Sequence, residues 1–471
     1  MSFGSIPFLI LFLPVSVGVY FLMPKLWLKN LVLVFLSLLF YAWGEPVYIL
    51  LMLFVTIVDY TAGRLMERTG KRKLVLILAA GTDLACLGFF KYADFLVRTV
   101  NGLLGAAGCT ALPLPGISLP IGISFFTFQS MSYTIDRYRG DVPEEKNYLT
   151  YLTYVSMFPQ LIAGPIVRFR TVDHELHERR VDRACFEEGV PRFLRGLFRK
   201  VLIANNIGAV WEQIRDLQAA GGASAATAWL GAVLFTLQLY FDFSAYSDMA
   251  IGMGRMLGFH FLENFNYPLS AVSVTDFWRR WHISLSTWFR DYVYIPLGGN
   301  RRGTLLQIRN IFVVWFLTGL WHGASWNFVL WGLYYGVLLA LEKFVWGRAL
   351  EKLPRFLRHL YAFLIVVFGF VIFVFDDFTA LQSYISTMFC IGTAAGTPGA
   401  AIPAGREFFW YFGQNAFLIL IALILSFPVW PKLKQRFSFP AGSVVLYVCL
   451  FLLSTAWMVS ETYNPFLYFR F

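Results

Sequence analysis

His322 is an ionisable side chain between two long apolar stretches, within the run WHGASWN at 321–327. A charge at membrane depth costs at least about 2.5 kcal/mol, so such a group needs a reason. Gly323, Ala324 and Ser325 follow it and leave space for a substrate. This pattern suits a general base at the floor of an outward-facing funnel. The alternative is a histidine that holds two helix ends together through hydrogen bonds.

The segment 276–300 reads DFWRRWHISLSTWFRDYVYIPLGGN, which is too charged to cross lipid and too aromatic for a free loop. It predicts a helix at the cytoplasmic interface, or re-entering from it, that ends at Pro296. Asp276 and Arg280 are four residues apart and are expected to pair on one helix face. His282 is either a second functional histidine or a ring that satisfies a buried hydrogen bond.

The same segment contains three further arginine or tryptophan positions of interest. Arg279 and Arg290, with Arg280, are expected to meet either lipid headgroups or an anionic acyl donor, such as a nucleotide-linked or phosphopantetheine thioester. Trp281 is expected to anchor the segment or to pack within it. The segment therefore predicts a donor-binding surface or a headgroup-binding surface.

Polar side chains also interrupt two other apolar stretches. Asp242 and Asp248 lie in YFDFSAYSD and must face the protein interior, where structural ion pairing is the alternative to acid catalysis. The arginines of 276–300 are candidate partners. Gln160 precedes a Gly-Pro step, a pattern typical of a helix end or kink and less often of a tunnel wall.

Other catalytic patterns do not occur in the sequence. It contains no G-x-S-x-G elbow, no H-E-x-x-H and no phosphate-binding glycine loop. His174 and His177, in DHELHERR, fit a solvated helix better than a metal site. The five cysteines form no C-x-x-C pair. We therefore expect neither a metal site nor a disulfide framework.

The composition excludes a soluble globule, because 58% of the 471 residues are hydrophobic and only 14% are charged. Crossing about 30 Å of hydrocarbon takes roughly 20 apolar residues per helix. The sequence predicts a single all-α membrane domain over 1–471 with about 11 transmembrane helices, plus interfacial or re-entrant ones. The candidate segments are 6–23, 31–43, 47–60, 74–92, 193–214, 229–253, 310–321, 328–344, 360–375, 408–427 and 444–457. The segment 192–214 begins with Arg195, Arg199 and Lys200, and the alternative for it is a course partly along the membrane interface.

The net charge of +11 is explained by basic loops on the cytoplasmic side, so nucleic acid is not an expected partner. If all basic clusters are cytoplasmic, the spans alternate, provided that one further span lies between 92 and 168. Both termini are then outside. The basic clusters are at 25–29, 64–73, 168–200, 301–309, 343–358 and 432–436.

Six long segments, in order between 119 and 336, resemble the membrane-bound O-acyltransferase family. Within that family they look most similar to the bacterial alginate O-acetyltransferase branch, which is related to the D-alanyl transfer proteins of teichoic acid modification. The segments are LPIGISFFTFQSMSYTIDRYRG, FPQLIAGPIVR, YFDFSAYSDMAIG, NFNYPL, DFWRRWHISLSTWFRDYVYIPLGGNR and LWHGASWNFVLWGLYYG. The range 119–336 is thus the family-diagnostic core.

The resemblance implies a ring of tilted helices around a central tunnel in the bacterial cytoplasmic membrane. It implies that His322 and His282 are the two family histidines. It further implies transfer of an acyl group, acetyl by expectation, from a cytoplasmic thioester (acetyl-CoA or a carrier-protein thioester) towards an exported polysaccharide, with an extracytoplasmic acyltransferase- or esterase-like partner protein and no permanently bound cofactor. Candidate side chains for substrate or donor binding are Arg279, Arg280, Arg290, Trp281, Ser325, Asn327, Gln160 and Asp242.

Other functions fit parts of the same sequence. The acyl group and acceptor are open, and D-alanyl or other acyl transfer to teichoic acid or peptidoglycan is an alternative. A glycan or lipid transporter would use the same polar groups without chemistry, but it predicts symmetric Gly/Pro breaks that the sequence lacks. A structural membrane scaffold would leave the polar clusters without a role.

Overall fold

The computed structural model describes residues 3–162, 164–391, 405–429 and 440–460. Every regular element in these residues is helical. The helices of the first half are α1 (Pro7–Leu22), α2 (Leu26–Ala42), α3 (Ile49–Thr69), α4 (Arg72–Ala106), α5 (Ile123–Arg139), α6 (Tyr148–Ser156), α7 (Phe158–Leu161), α8 (Phe169–Glu178), α9 (Arg183–Phe198) and α10 (Asn205–Ala219). The helices that follow are α11 (Ala225–Met256), α12 (Val274–Arg280), α13 (Ile283–Phe289), α14 (Thr304–His322), α15 (Trp326–Leu341), α16 (Gly347–Lys352), α17 (Arg355–Val374), α18 (Phe378–Met388), α19 (Arg406–Leu425) and α20 (Pro440–Ser460).

Seven helices in the described residues are long and apolar enough to cross a membrane. They are α3, α4, α11, α14, α15 with its continuation to Lys352, α17 and α19. Three shorter apolar helices, α1, α2 and Val444–Ser460, match further predicted segments. The chain is therefore a multi-pass protein embedded in a membrane.

The predicted segment 193–214 differs from the others. It is helical, across α9, a π-helical stretch at Arg199–Ala204 and α10, but it is not among the helices apolar enough to span. Lys200 and Asn205 are buried within it. Their polarity, and the basic residues before them, fit a segment that lies partly along the membrane interface, and its course through the membrane stays a prediction.

Some predictions fall on residues that the structure does not describe. These are residues 392–404, which belong to a segment predicted to lie outside (376–406), the basic cluster at 432–436 and the C-terminal tail after Ser460. They stay predictions.

The chain separates into two compact units. The first contains 3–193 and 246–263, and the second contains 194–245 and the described residues from 264 onwards. In the first unit Arg179 is buried and donates to Tyr20 Oη at 2.7 Å and to Asn30 Oδ1 at 2.8 Å. Its guanidinium carbon lies 4.2 Å from the ring centroid of Phe259. The buried cation is therefore balanced by hydrogen-bond acceptors at its nitrogen atoms and by an aromatic ring.

The second unit contains the hairpin of α14 and α15, which ends its first helix at His322. A Cβ atom on Gly319 would lie 2.3 Å from the carbonyl oxygen of Phe328, and one on Gly332 would lie 2.3 Å from that of Trp315. Atoms that are not bonded to each other do not approach so closely, so only glycine at these two positions permits this approach of the two backbones. The close crossing fixes the end of α14 on which His322 lies.

The segment 276–300 is not one helix, as the sequence predicted, but two. Helices α12 and α13 are separated at His282, whose φ of 46° and ψ of 55° lie in the left-handed region. A non-glycine residue there is uncommon and breaks a right-handed helix. The hydrogen bonds that hold this conformation belong to the site described next.

Candidate active site

His322 is the last residue of α14 and is 5% exposed. Its Nδ1 lies 2.8 Å from the carbonyl oxygen of Thr318, one turn earlier in the same helix. A carbonyl oxygen only accepts hydrogen bonds, so Nδ1 of the neutral ring holds the proton and Nε2 holds the lone pair. The helix itself therefore sets the tautomer that a general base needs.

Aromatic rings surround His322 in the second unit. The ring centroids of Trp331, Trp321 and Phe373 lie 4.8, 5.0 and 5.7 Å from that of the histidine. Gly323 follows directly, and a Cβ there would lie 2.1 Å from the ring of Phe328. The backbone thus turns sharply away after His322 with no room for a side chain.

His282 is 1% exposed and is held by Asn264. Its Nδ1 lies 3.2 Å from Asn264 Oδ1, which also accepts hydrogen bonds from the backbone N–H and the hydroxyl of Ser284, at 3.2 and 2.9 Å. Because Oδ1 accepts, Nδ1 of His282 donates and the lone pair is on Nε2, as in His322. Burial, and secondly the proximity of His322, lower the pKa of His282 well below its usual value.

The two histidines flank one tryptophan ring. The centroid of Trp321 lies 5.7 Å from that of His282 and 5.0 Å from that of His322. The structure therefore brings together the two histidines that the sequence singled out, both with the proton on Nδ1. A second proton on this pair of adjacent imidazoles would place two like charges side by side, which their repulsion disfavours.

The three arginines predicted to bind the acyl donor are near His282 in the sequence, but they are not part of the site formed by the two histidines. Arg279 is exposed and forms no ion pair with any described residue. Arg280 pairs with Asp276 at 2.8 Å, which confirms the predicted pair. Arg290 pairs with its neighbour Asp291 at 2.7 Å. Of the three, Arg279 is the one whose charge is available to an anion.

Trp281 lies in the hydrophobic core of the second unit. Its ring stacks on Phe277 with centroids 5.5 Å apart, and it contacts Phe265 and Phe370 at 5.1 Å each. The side chain is 3% exposed. This favours the packing role that the sequence allowed over contact with a donor.

Ser325 and Asn327 begin α15, just after His322. Ser325 is the half-buried N-cap residue, and its hydroxyl makes no capping hydrogen bond. Asn327 donates from Nδ2 to the carbonyl oxygen of Phe373 at 3.0 Å. Since Phe373 contacts the His322 ring, Asn327 positions one wall of the site.

Asp242 forms a buried ion pair with Lys200, with 2.5 Å between Oδ1 and Nζ. The sequence allowed structural ion pairing, and the cation of this pair is Lys200 rather than one of the suggested arginines of 276–300. Lys200 lies on the π-helical stretch at Arg199–Ala204, a local irregularity that the sequence does not reveal. In the first unit Asp248 pairs with Arg192 at 2.9 Å.

Gln160 belongs to the first unit, in the short helix α7. It is fully buried and its amide nitrogen donates to the carbonyl oxygen of Tyr154 at 2.5 Å. Its Oε1 has no hydrogen-bond partner within the part of the chain that the structure describes. A helix end before the Gly-Pro step is what the sequence predicted.

Sequence reasoning gave no role in the site to Asn264, Trp331 and Tyr335, and it expected Trp278 only to anchor its segment or to pack within it. Asn264 lies in the NFNYPL segment, which was noted as a motif without a role for its polar side chain. Trp331 and Tyr335 lie in the segment after His322, and Trp278 lies on α12; their rings form one group beside His322. Only the motif membership of these residues could have drawn attention to them.

Comparison with known proteins gives one matching family model, described as membrane-bound O-acyltransferase, over residues 142–385. A probable alginate O-acetylase of Pseudomonas putida is 39% identical over 100% of both chains, and one of Pseudomonas aeruginosa is 44% identical over 83% of this chain and 76% of the relative. The peptidoglycan O-acetyltransferase of Helicobacter pylori is 34% identical over 79% of this chain and 77% of its own.

Proposed function

Because this chain belongs to the membrane-bound O-acyltransferase family and is an O-acyltransferase, we propose that it moves an acetyl group from a cytoplasmic thioester to an exported polysaccharide. The donor is acetyl-CoA or a carrier-protein thioester. The final acceptor is a hydroxyl of an alginate-like uronan, which the acetyl group reaches through the extracytoplasmic partner proposed below. Support for acetyl and uronan comes from relatives named for alginate O-acetylation that cover 83% to 100% of this chain. Two relatives named for D-alanyl transfer cover less of this chain, 54% and 47%.

The observation that most supports this function is the tautomer of His322. Its Nε2 accepts the proton of the acceptor hydroxyl while the hydroxyl oxygen attacks the carbonyl carbon of the thioester. The carbon–sulfur bond then breaks, and the leaving thiolate takes the proton from the imidazolium. A positioned base of this kind contributes about 100- to 10,000-fold to the rate. Alignment of the two substrates contributes a further factor.

His282 serves as a positioning residue in this scheme. It is neutral, since burial holds its pKa well below the usual range. A neutral neighbour does not oppose the positive charge that His322 gains during transfer. Asn264 keeps the ring in place through the hydrogen bond to Nδ1. The left-handed backbone of His282 is a local strain of the kind found at functional sites.

Arg279 attracts the donor in this proposal. Coenzyme A and phosphopantetheine groups contain phosphates, and an exposed guanidinium without an ion-pair partner among the described residues is available to bind one. Arg280 and Arg290 contribute less because carboxylates already pair with them.

The membrane arrangement that goes with this function is a single domain in the bacterial cytoplasmic membrane. We infer about 11 spans in a ring around a tunnel, with both termini outside. The basic clusters of the loops support this orientation. An extracytoplasmic acyltransferase- or esterase-like protein is proposed to complete transfer to the glycan.

The donor and the chemistry are tested together in membrane vesicles from cells that make the polysaccharide. Vesicles receive either labelled acetyl-CoA or a labelled D-alanyl carrier protein on the cytoplasmic side, and ester-linked label is measured on the glycan. Ester formation from acetyl-CoA is expected. Label from the D-alanyl donor alone would contradict the acetyl assignment, and passage of glycan without any ester would favour a transporter.

A further inference from the structure

Three aromatic side chains of the second unit have a buried polar atom without a partner. The Nε1 atoms of Trp278 and Trp331 and the hydroxyl of Tyr335 make no hydrogen bond to any described residue. These side chains are 8%, 1% and 0% exposed. Buried polar groups are nearly always paired, because an unmet hydrogen bond in an apolar interior costs free energy. Each of these buried hydrogen-bond donors without an acceptor therefore needs an explanation.

The three rings are in mutual contact and border His322. Centroid distances are 5.5 Å between the two tryptophans, 4.8 Å from Trp278 to Tyr335 and 5.3 Å from Trp331 to Tyr335. Trp331 in turn lies 4.8 Å from His322. Three unmet donors thus lie in one group of rings beside the proposed base. We call this group the donor cluster.

Equivalent side chains elsewhere in the second unit have partners. Tyr334, the neighbour of Tyr335, donates to the carbonyl oxygen of Ile365 at 2.9 Å. The indole N–H of Trp229 donates to the carbonyl oxygen of Met388 at 3.1 Å. The fold can therefore satisfy such groups. The donor cluster differs in that none of its three donors has such an acceptor among the described residues.

We propose that the donor cluster binds the carbonyl oxygen of the acyl group during transfer, an inference that rests on the proposed acyl transfer. When the hydroxyl oxygen bonds to the carbonyl carbon, an electron pair moves onto the carbonyl oxygen. The N–H and O–H groups of the cluster donate to this oxyanion. The electron pair then returns, the carbon–sulfur bond breaks, and the thiolate receives the proton held by His322.

Low polarity around the cluster strengthens these hydrogen bonds. The rings exclude water, and a charge that develops in such a surrounding gains more from a fixed donor than it would in water. The Tyr335 hydroxyl lies against α17, where a Cβ on Gly369 would be only 2.4 Å from it. A side chain at position 369 would displace the Tyr335 hydroxyl, which explains why this residue is a glycine.

The test compares Tyr335→Phe with Tyr334→Phe, a matched control on the same helix. Apparent kcat and KM for acetyl-CoA are measured in membrane vesicles, per molecule of enzyme, together with the thermal midpoint in detergent. Tyr335→Phe removes a donor with no partner, so the midpoint should stay constant or rise while kcat falls about 100-fold at unchanged KM. Tyr334→Phe should keep kcat and lower the midpoint, because Ile365 loses its donor. Trp331→Phe should lower kcat by a similar factor, with some loss of thermal midpoint, because the smaller ring leaves a cavity beside His322.

Two results would overturn the inference. One is wild-type kcat in both Tyr335→Phe and Trp331→Phe. The other is a fall in the kcat of Tyr335→Phe together with a fall in its thermal midpoint, which would mean a purely structural role. If either result is obtained while the wild type transfers acetyl normally, the role of the donor cluster is rejected and the proposed function is not. Failure of the wild type to transfer acetyl rejects the proposed function, and the inference with it.

Discussion

The Nδ1 proton of His322 is donated to the carbonyl oxygen of Thr318, 2.8 Å away in the same helix. No second element is needed to orient the ring, because the last turn of α14 supplies the acceptor. The same helix end also bears the negative pole of the helix dipole, which stabilises a protonated ring by about 0.3–1 kcal/mol. His322 is thus suited to take up a proton and to hold it until the thiolate leaves.

The position of His322 depends on the close approach of α14 and α15 at Gly319 and Gly332. Gly332→Ala would put a Cβ 2.3 Å from the carbonyl oxygen of Trp315 and push α14 from α15. We expect a lower thermal midpoint and a loss of most activity. Gly336→Ala is the control, because its nearest contact would be an ordinary 3.4 Å. Equal behaviour of the two variants would show that the crossing does not position the site.

Acid should destabilise the fold partly through His282. The folded state holds the pKa of this ring well below its usual value of about 6.5. As the pH falls below about 6.5, the unfolded chain binds a proton there and the folded protein does not, so stability is lost. His282→Gln should reduce the drop in thermal midpoint between pH 7.5 and lower pH, measured in detergent. An unchanged drop would mean that this ring is not held neutral.

The Lys200–Asp242 pair should act as a structural unit. Both side chains are almost fully buried, and removal of one partner from such a pair costs about 3–5 kcal/mol. Lys200→Met and Asp242→Asn are each expected to lower the thermal midpoint strongly. The double variant Lys200→Met/Asp242→Leu should recover most of it and keep activity. If the stable double variant were inactive, the pair would have a part in the reaction.

Arg279 should affect donor binding more than Arg280. Arg279→Gln is expected to raise the KM for acetyl-CoA several-fold with kcat unchanged, and added salt should reduce the difference from wild type. Arg280→Gln should have a smaller effect, because Asp276 already pairs with it. Identical KM values for both variants and the wild type would place the donor phosphates elsewhere.

The sequence predicted features that depend on neighbours along the chain. The membrane helices follow from long apolar runs, and the Asp276–Arg280 pair follows from a spacing of four residues on one helix. His322 was identified because a polar ring in an apolar context is conspicuous. His282 was singled out in the charged, aromatic segment 276–300, and the family resemblance, which the comparisons confirm, favoured a functional role for it.

Contacts between distant residues could not be predicted in this way. Asn264 reaches His282 only because the chain between them folds back. The partner of Asp242 is Lys200, since the π-helical stretch presents that lysine to α11. The unmet donors of Trp331 and Tyr335 are visible only when every neighbouring acceptor has a position.

The most direct test of the account is acetyl transfer by His322→Ala compared with His359→Ala. His359 is the matched control, because its Nδ1 also donates to a carbonyl oxygen, that of Ala271 at 2.9 Å, and it lines a separate apolar cavity. Both variants are inserted in membrane vesicles at equal amounts, and label from acetyl-CoA is measured as ester on the glycan. We predict that His322→Ala loses at least about 100-fold of the rate while His359→Ala stays close to wild type. Full transfer by folded His322→Ala would contradict the account.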